Sequence, residues 1–434
     1  MQKISSYIFI LLIAFSSLEA NAQATTNSPY SRYGVGILRP ESTNQNFALA
    51  GTGIATRSFN SINLLNPASF SELGITTFEV AATNNSLRMT DGKQNQYQNH
   101  PHISYIALGF PVIRNKWGMA FGAKPYSNVG YDYSTITIDP NAGGVSYYYK
   151  GEGGLTNLFF GNALKFKVDS TSMISFGHQL SFLFGNIFND RKVILSGLPS
   201  ALNFWSTENT HTADFTNSFG VYYQKHFFNS KKERYVLSFG ATYALTSELK
   251  SKKTETIRTF IGNIDFGSIM DTIIYSEDAP TTTQLPSSVG GGVSLEKENK
   301  WLIALDVKST NWGNIKLNET ITNYKNNLSI SSGFELIPKY DAFNSYFKRV
   351  KYRLGVRYST AYLSINNQDI SEYGITFGLG LPLKRTDTSV PSINLGVEYG
   401  NRGIASNGLI KETFVNLNFG LTINDRWFIK RKYD

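Results

Sequence analysis

The chain contains no cysteine. That excludes a disulfide-stapled framework and any thiolate-ligated metal centre. Charge is sparse as well: Asp, Glu, Lys and Arg make up 17% of the 434 residues, against roughly 25% in ordinary soluble domains. Beyond residue 20 no apolar run approaches the roughly 18 residues that a membrane-crossing helix needs. With a mean hydropathy of −0.22, a bundle of membrane helices is excluded. What is abundant is aromatic and small: 30 Phe, 25 Tyr and 37 Gly. This combination leaves large all-β proteins, among them membrane barrels, whose crossing segments hide their hydrophobicity in alternation.

The formal charge is +9. The cations are scattered, with short clusters only at Lys231-Lys232, Lys252-Lys253 and Lys430-Arg431-Lys432. They read as solvated turns and strand ends, and no nucleic-acid partner is expected. Residues 1–22 read as a cleaved signal peptide: Lys3 supplies the positive start, Ile8 to Phe15 the apolar stretch, and Ala20-Asn21-Ala22 the small-residue cleavage site. Export with no later apolar helix means either a soluble protein or an outer-membrane barrel.

Past residue 74 the period is two. Tyr235, Leu237, Phe239, Ala241, Tyr243 and Leu245 share one face, opposite Val236, Ser238, Gly240, Thr242, Ala244 and Thr246. The same pattern recurs at 352–362, 373–383, 393–399 and 415–423. One face is large and apolar; the other carries Gly, Ser, Thr, Asn and isolated charges such as Arg353, Arg357, Glu398 and Arg402. A soluble sandwich shows the same alternation. The length of the segments, well beyond the usual five or six residues, and the Gly-rich polar face favour a barrel with a wet interior. Trp117, Tyr131, Trp301, Trp312 and Tyr399 suit interfacial girdles. Fourteen strands are expected, at 75–89, 101–113, 116–132, 152–168, 171–188, 210–228, 233–250, 282–296, 300–313, 328–338, 350–365, 371–384, 391–404 and 410–424. Long outer loops are expected at 133–151, 189–209, 251–281 and 314–327, and the connection 339–349 is long for the periplasmic side. The reading is therefore an all-β, transmembrane antiparallel β-barrel of about 14 strands over residues 75–434. Residues 23–74 do not alternate but carry Phe47, Phe59, Ile62, Leu64, Leu65 and Phe70, which argues for a plug (hatch) in the lumen.

Within that segment, Ala50-Gly51-Thr52-Gly53-Ile54-Ala55 followed by Asn66-Pro67-Ala68 resembles the hatch pattern of FadL-type outer-membrane transporters. Ser28-Pro29-Tyr30-Ser31-Arg32-Tyr33-Gly34 and the closing Arg426 to Lys432 look like the Bacteroidetes branch of that family. The resemblance implies passive passage of hydrophobic small molecules such as long-chain fatty acids across the outer membrane of a Gram-negative cell. It also brings in PorV-type relatives, which serve type IX secretion as surface adaptors, so a surface or secretion protein partner stays open beside outer-membrane lipid and a hydrophobic ligand. Members of the family have a kinked third strand with a lateral opening. Here the third strand, with Phe121, Pro125, Tyr126 and Gly130, holds a proline that cannot complete a ladder. It marks a gap in the wall, or else the start of an outer loop. Arg353 or Arg357 is a candidate for a ligand carboxylate, unless each is paired with an acid such as Glu398 or Asp306.

Signals for catalysis are weak. There is no G-x-S-x-G, and the Gly34-Val35-Gly36 and Gly290-Gly291-Gly292 runs lack the strand-to-helix context of a phosphate loop. His100-Pro101-His102 has no acid cluster beside it, and Asp214 lies three residues after His211. No enzyme activity, cofactor or metal is expected.

Overall fold

A computed structural model describes residues 26, 28–141, 143–198, 201–263, 267–315, 322–365, 367–384, 390–406 and 408–427. The expected signal peptide lies outside them. The wall is built from β1 (Thr76–Thr90), β2 (Asn95–Ile113), β3 (Trp117–Asp139), β4 (Gly143–Lys167), β5 (Ser172–Leu195), β6 (Asn203–Phe228), β7 (Arg234–Ala244), β8 (Ser247–Ile261), β9 (Ser268–Leu285), β10 (Ser288–Lys297), β11 (Trp301–Thr310), β12 (Asn327–Leu336), β13 (Lys351–Ser359), β14 (Glu372–Pro382), β15 (Ser392–Arg402) and β16 (Lys411–Asp425). β7 runs on into β8, and β9 into β10, across short breaks, so sixteen pieces make fourteen antiparallel strands. The sheet closes where β1 pairs with β16, from Thr76↔Asp425 to Thr90↔Lys411.

The face that is buried separates barrel from sandwich. Phe239 is 48% exposed, whereas its neighbour Ser238 is 2% exposed. Phe377, Val397 and Phe419 likewise point outward, while Thr376, Glu398 and Asn418 are buried. The large apolar face therefore meets lipid, and the small polar face is turned inward. No helix of the described residues is long and apolar enough to cross a membrane, so crossing falls to the strands.

Three expectations need correction. The stretches 133–151, 189–209 and 251–281 are mostly not loops: β3 to β6, β8 and β9 continue through them as one tall ladder, with β6 pairing β8 from Asn203↔Phe260 to Thr212↔Ser251. Here both faces leave the lipid, so the apolar period that marks a strand disappears while its hydrogen bonding persists. Tyr131 and Trp312 are not girdle residues, since each is 4% exposed. The Tyr131 hydroxyl donates to Asn189 at 2.8 Å, and Trp312 packs between Tyr324 and Tyr362 with ring centroids 5.0 and 5.2 Å away. Strands 350–365 and 391–404 end earlier than expected, at Ser359 and Arg402.

Candidate functional site

Residues 28–75 run beside the inward faces of strands all round the wall. The Asn66-Pro67-Ala68 motif acts as a helix cap. Fully buried Asn66 accepts from the Ala68 N–H at 3.0 Å, so it caps the 3₁₀-helix Pro67–Glu72. Its amide also donates to the Ile54 carbonyl at 2.8 Å and to the Val221 carbonyl of β6 at 3.1 Å, so one side chain ties two turns of the segment to the wall. The Gly51 and Gly53 stretch is held from the far side. Asp306 of β11 accepts from the Gly53 and Ile54 N–H groups at 2.6 and 2.8 Å. Gly51 has φ +78°, a backbone state that favours glycine. A Cβ on Gly53 would lie 1.7 Å from the Asn46 amide.

The glycines of the inward face explain themselves once this segment is present. A Cβ on Gly177 would come within 2.3 Å of the Ala68 nitrogen, on Gly220 within 2.0 Å of the Asn66 side-chain oxygen, and on Gly240 within 2.1 Å of the Ile54 carbonyl oxygen. The wall lacks side chains where the segment's backbone lies against it. Elsewhere polar groups reach inward: Ser61 Oγ donates to Glu79 at 2.7 Å, Tyr105 Oη to the same carboxylate at 2.8 Å, and Thr376 Oγ1 to the Ala48 carbonyl at 3.0 Å.

The ladder between β2 and β3 is incomplete. It runs from Ile113↔Trp117 to Ile106↔Ala123 and stops, although β2 extends back to Asn95 and β3 on to Asp139. Pro125 sits just beyond the last pair. Across β3's other edge the register slips between Pro125 and Ser127, which marks a bulge at Tyr126. Phe121 lies below the break on the lipid face, 43% exposed. Above the break, β3's open edge is taken by a short strand of the N-terminal segment, with Ile37 opposite Asn128 and Leu38 opposite Ser127. The Arg39 N–H donates to the Tyr126 carbonyl at 2.9 Å. Ser31 Oγ donates to the Gly130 carbonyl at 2.9 Å and accepts from its N–H at 3.0 Å. Gly36, at φ +90°, passes so close that a Cβ would lie 2.4 Å from the Asn128 carbonyl oxygen. Glu41 then bridges Lys124 of β3 at 3.7 Å and Lys308 of β11 at 3.3 Å. A cavity of about 430 Å³ reaches Pro125 and Tyr126 past Ile37 and Leu38.

Arg353 and Arg357 both face inward and are both paired. Arg353 donates to Glu335 at 2.7 Å and to Asn394 at 2.8 Å. Arg357 donates to Glu398 at 2.6 Å and also bonds Glu372, which Arg402 meets at 2.5 Å. Asp306 is committed to the N-terminal segment. His211 bonds Asn186 and Asp214 accepts from Lys250, so those two are not brought together. Among the described residues no three His, Cys, Asp or Glu side chains gather as a metal site. The Glu41, Lys124 and Lys308 clasp was not singled out from the sequence. Its signal was there: Lys124, Asp306 and Lys308 fall on inward positions of strands where charge has no reason to be unless it meets a partner.

A closed, lipid-facing antiparallel barrel with polar side chains packed on an inner segment defines a membrane-spanning β-barrel with a filled interior. The BamG family model matches residues 2–434, and the chain belongs to the BamG family. Among solved structures it is similar to the Pseudomonas putida toluene transporter TodX, with 14% identity over 91% of this chain and 100% of that one and a TM-score of 0.55. A Pseudomonas aeruginosa FadL homologue has 11% identity over 91% and 100%, with a TM-score of 0.55. The Ralstonia pickettii toluene transporter TbuX has 12% identity over 89% and 100%, with a TM-score of 0.53. At such identity the likeness establishes the fold. No curated protein matches the chain.

Proposed function

We propose that the protein is a passive outer-membrane channel for hydrophobic small molecules, with residues 23–74 as its hatch and the β2–β3 seam as a lateral exit. The observation that carries this reading is the seam itself: a ladder that stops at Ala123 beside Pro125, covered above the stop, among the described residues, by the short hatch strand Ile37–Leu38 and the bonds of Arg39 and Ser31. A wall edge covered by three or four residues opens at far lower cost than one sealed by a barrel strand. A solute leaving sideways stays out of water and keeps the roughly 0.8 kcal/mol per buried CH₂ that a vertical exit would forfeit. The similarity to toluene transporters supports the solute class. The cavity at the seam, about 430 Å³, is at the small end of the ~300–1,000 Å³ of ligand pockets, which suits compact molecules better than extended fatty acids. Arg353 and Arg357 serve the wall in this reading, since protein acids occupy them.

The test is uptake of a radiolabelled aromatic hydrocarbon and a long-chain fatty acid by cells carrying the protein or a seam-locked variant. Uptake that ignores the seam ends the reading. A second reading, a surface adaptor without transport in the manner of PorV-type relatives, is favoured by the tall outer ladder of β3 to β9. Its upper part exposes Ile136 and Ile138 at 74% and 88%. Purified barrel that carries no hydrophobic solute but a stoichiometric surface protein decides for the adaptor.

A further inference from the structure

The short-turn end of the barrel holds a second and larger cavity, about 1130 Å³, and in outer-membrane barrels the short turns face the periplasm. Its lining collects eleven Lys and Arg against five Asp and Glu. The whole chain carries an excess of only nine, so most of the surplus is focused on one opening rather than spread over the surface. Several of these cations are already used: Arg57 pairs with Glu296, Lys165 with Glu72, and Arg234 with Glu298. Lys116 and Lys300, on two different turns, and Lys167, at the end of β4, make no ion pair among the described residues and are exposed. Deeper in, Arg353 is 1% exposed and lines the same cavity; its Nε and Nη1 are held by Glu335 and Asn394, and its Nη2 has no hydrogen-bond partner among the described residues. The rim adds apolar anchors. The connection after β12, long for this side, carries Phe343 at 97% and Phe347 at 72% exposure.

We propose that this vestibule docks an acidic, extended polypeptide segment of a periplasmic partner, with carboxylates entering the cationic mouth and aromatic or aliphatic side chains covering Phe343 and Phe347. Charge complementarity selects the occupant. The chain's own closing segment is itself basic at Lys430-Arg431-Lys432 and does not complement the site. The cations line the inside of the barrel end, not the lipid-facing wall, so a bilayer headgroup meets them poorly. A rim of unpaired charge at such a mouth steers association and makes it salt-dependent.

The proposal is independent of the transport reading, because its test uses purified full-length protein in detergent with no solute flux. The probe is a short fluorescent peptide rich in Asp and Glu with two Phe, compared with the same peptide carrying Lys for each acid. The expected result is binding of the acidic peptide only, weakening as salt rises. The combined Lys116→Glu, Lys167→Glu, Lys300→Glu variant should bind it about tenfold more weakly or worse, and the Phe343→Ala, Phe347→Ala variant should lose affinity without losing the salt slope. Should the charge reversals prevent folding, the three Gln substitutions give the same comparison at smaller amplitude, with heat-modified gel migration reporting the folded barrel. Equal binding of the two peptides, or unaltered binding by the reversed variant, overturns the proposal. So does charge-dependent capture of phosphatidylglycerol vesicles without capture of the peptide, which would make the mouth a lipid site.

Discussion

A disulfide between Leu38→Cys and Ser127→Cys would fasten the short strand Ile37–Leu38 of the proposed hatch to β3. Leu38 stands opposite Ser127, and the neighbouring Arg39 carries the ladder bond to Tyr126. The Leu38–Ser127 position is thus a non-hydrogen-bonded antiparallel pair, with Cα atoms about 4.5 Å apart, within the roughly 4.4–6.8 Å that a disulfide spans. The chain has no other cysteine, so the bond forms without competitors. Lifting this strand in the unmodified protein breaks about two ladder hydrogen bonds at ~1 kcal/mol each and uncovers part of Leu38. The cost is about 2–3 kcal/mol, which leaves the seam open for roughly 0.6–3% of the time. The oxidised variant holds it shut. Uptake of a radiolabelled aromatic hydrocarbon should fall to the level of cells lacking the protein, and a reductant should restore it. The single variants should behave as the parent. Gly36→Ala acts in the opposite sense, since its Cβ collides with the Asn128 carbonyl at a left-handed backbone position. Its gain in flux is capped at roughly thirty- to 160-fold, because the open fraction cannot exceed one. Verified cross-linking with undiminished uptake would refute the seam as the exit.

The other expectations concern how the hatch is held. Asp306→Ala leaves the Gly53 and Ile54 N–H groups without their acceptor, at a cost of roughly 2–5 kcal/mol; the hatch should become protease-sensitive while the barrel keeps its folded gel migration. Gly240→Val places side-chain atoms where the Ile54 carbonyl lies and should destabilise the hatched barrel in a urea titration, whereas equal stability of variant and parent would disprove the seating argument. In the β4–β5 turn, Asp169 is held down at about 2 mainly by the Thr171 N–H, with help from the Thr171 hydroxyl and Ser172. Its contribution is full above the ordinary carboxylate value near 3.8 and is lost as pH falls through about 2. Asp169→Ala should therefore matter at neutral pH and match the parent at the acid end, as read by unfolding midpoints across that range.

The period-two pattern from residue 75 onward made the barrel legible, because lipid outside and packed polar groups inside impose opposite demands on successive residues. What it could not convey was what fills the interior. Gly177, Gly220 and Gly240 look like the small residues of a watery lumen, yet each faces the N-terminal segment. A glycine beside water and a glycine beside a carbonyl are the same letter. The tall outer ladder was invisible for a related reason: across Asn203 to Thr212 polar residues fall on both faces, so no apolar alternation marks the strand. Pro125 was readable as a break in pairing. That the break would be covered by Ile37 and Leu38, far off in sequence, depends on how the hatch threads the barrel, which no local pattern encodes. Lys116, Lys167 and Lys300 belong to cations that look scattered along the sequence, and the closure of the wall brings the turns and strand end that carry them round one opening.

The distribution of bonds along the hatch decides which part of it can move. From Asn46 to Glu72 it is locked by buried side chains: Asn63 onto the Gly53 carbonyl at 2.6 Å, Asn66 onto wall and hatch, Ser294 onto the Ala55 carbonyl at 2.7 Å, and Asn424 onto the Asn60 carbonyl at 2.9 Å. Expelling this half strands many buried polar groups at once, each costing about 1–3 kcal/mol. The outer end is pinned too, by Ser28 on Glu412 and by Ser31 on Gly130. Between these anchors, residues 36–41 rest on one short strand pairing and on Glu41, whose side chain is 39% exposed. A strap fixed at both ends and lightly held in the middle can bow away from the wall without unthreading. If transport occurs, it therefore needs the displacement of about half a dozen residues and not the exit of a fifty-residue plug, and truncating the chain before Ser28 should leave flux nearly unchanged while cross-links placed at Gly53 or Asn66 should not block it.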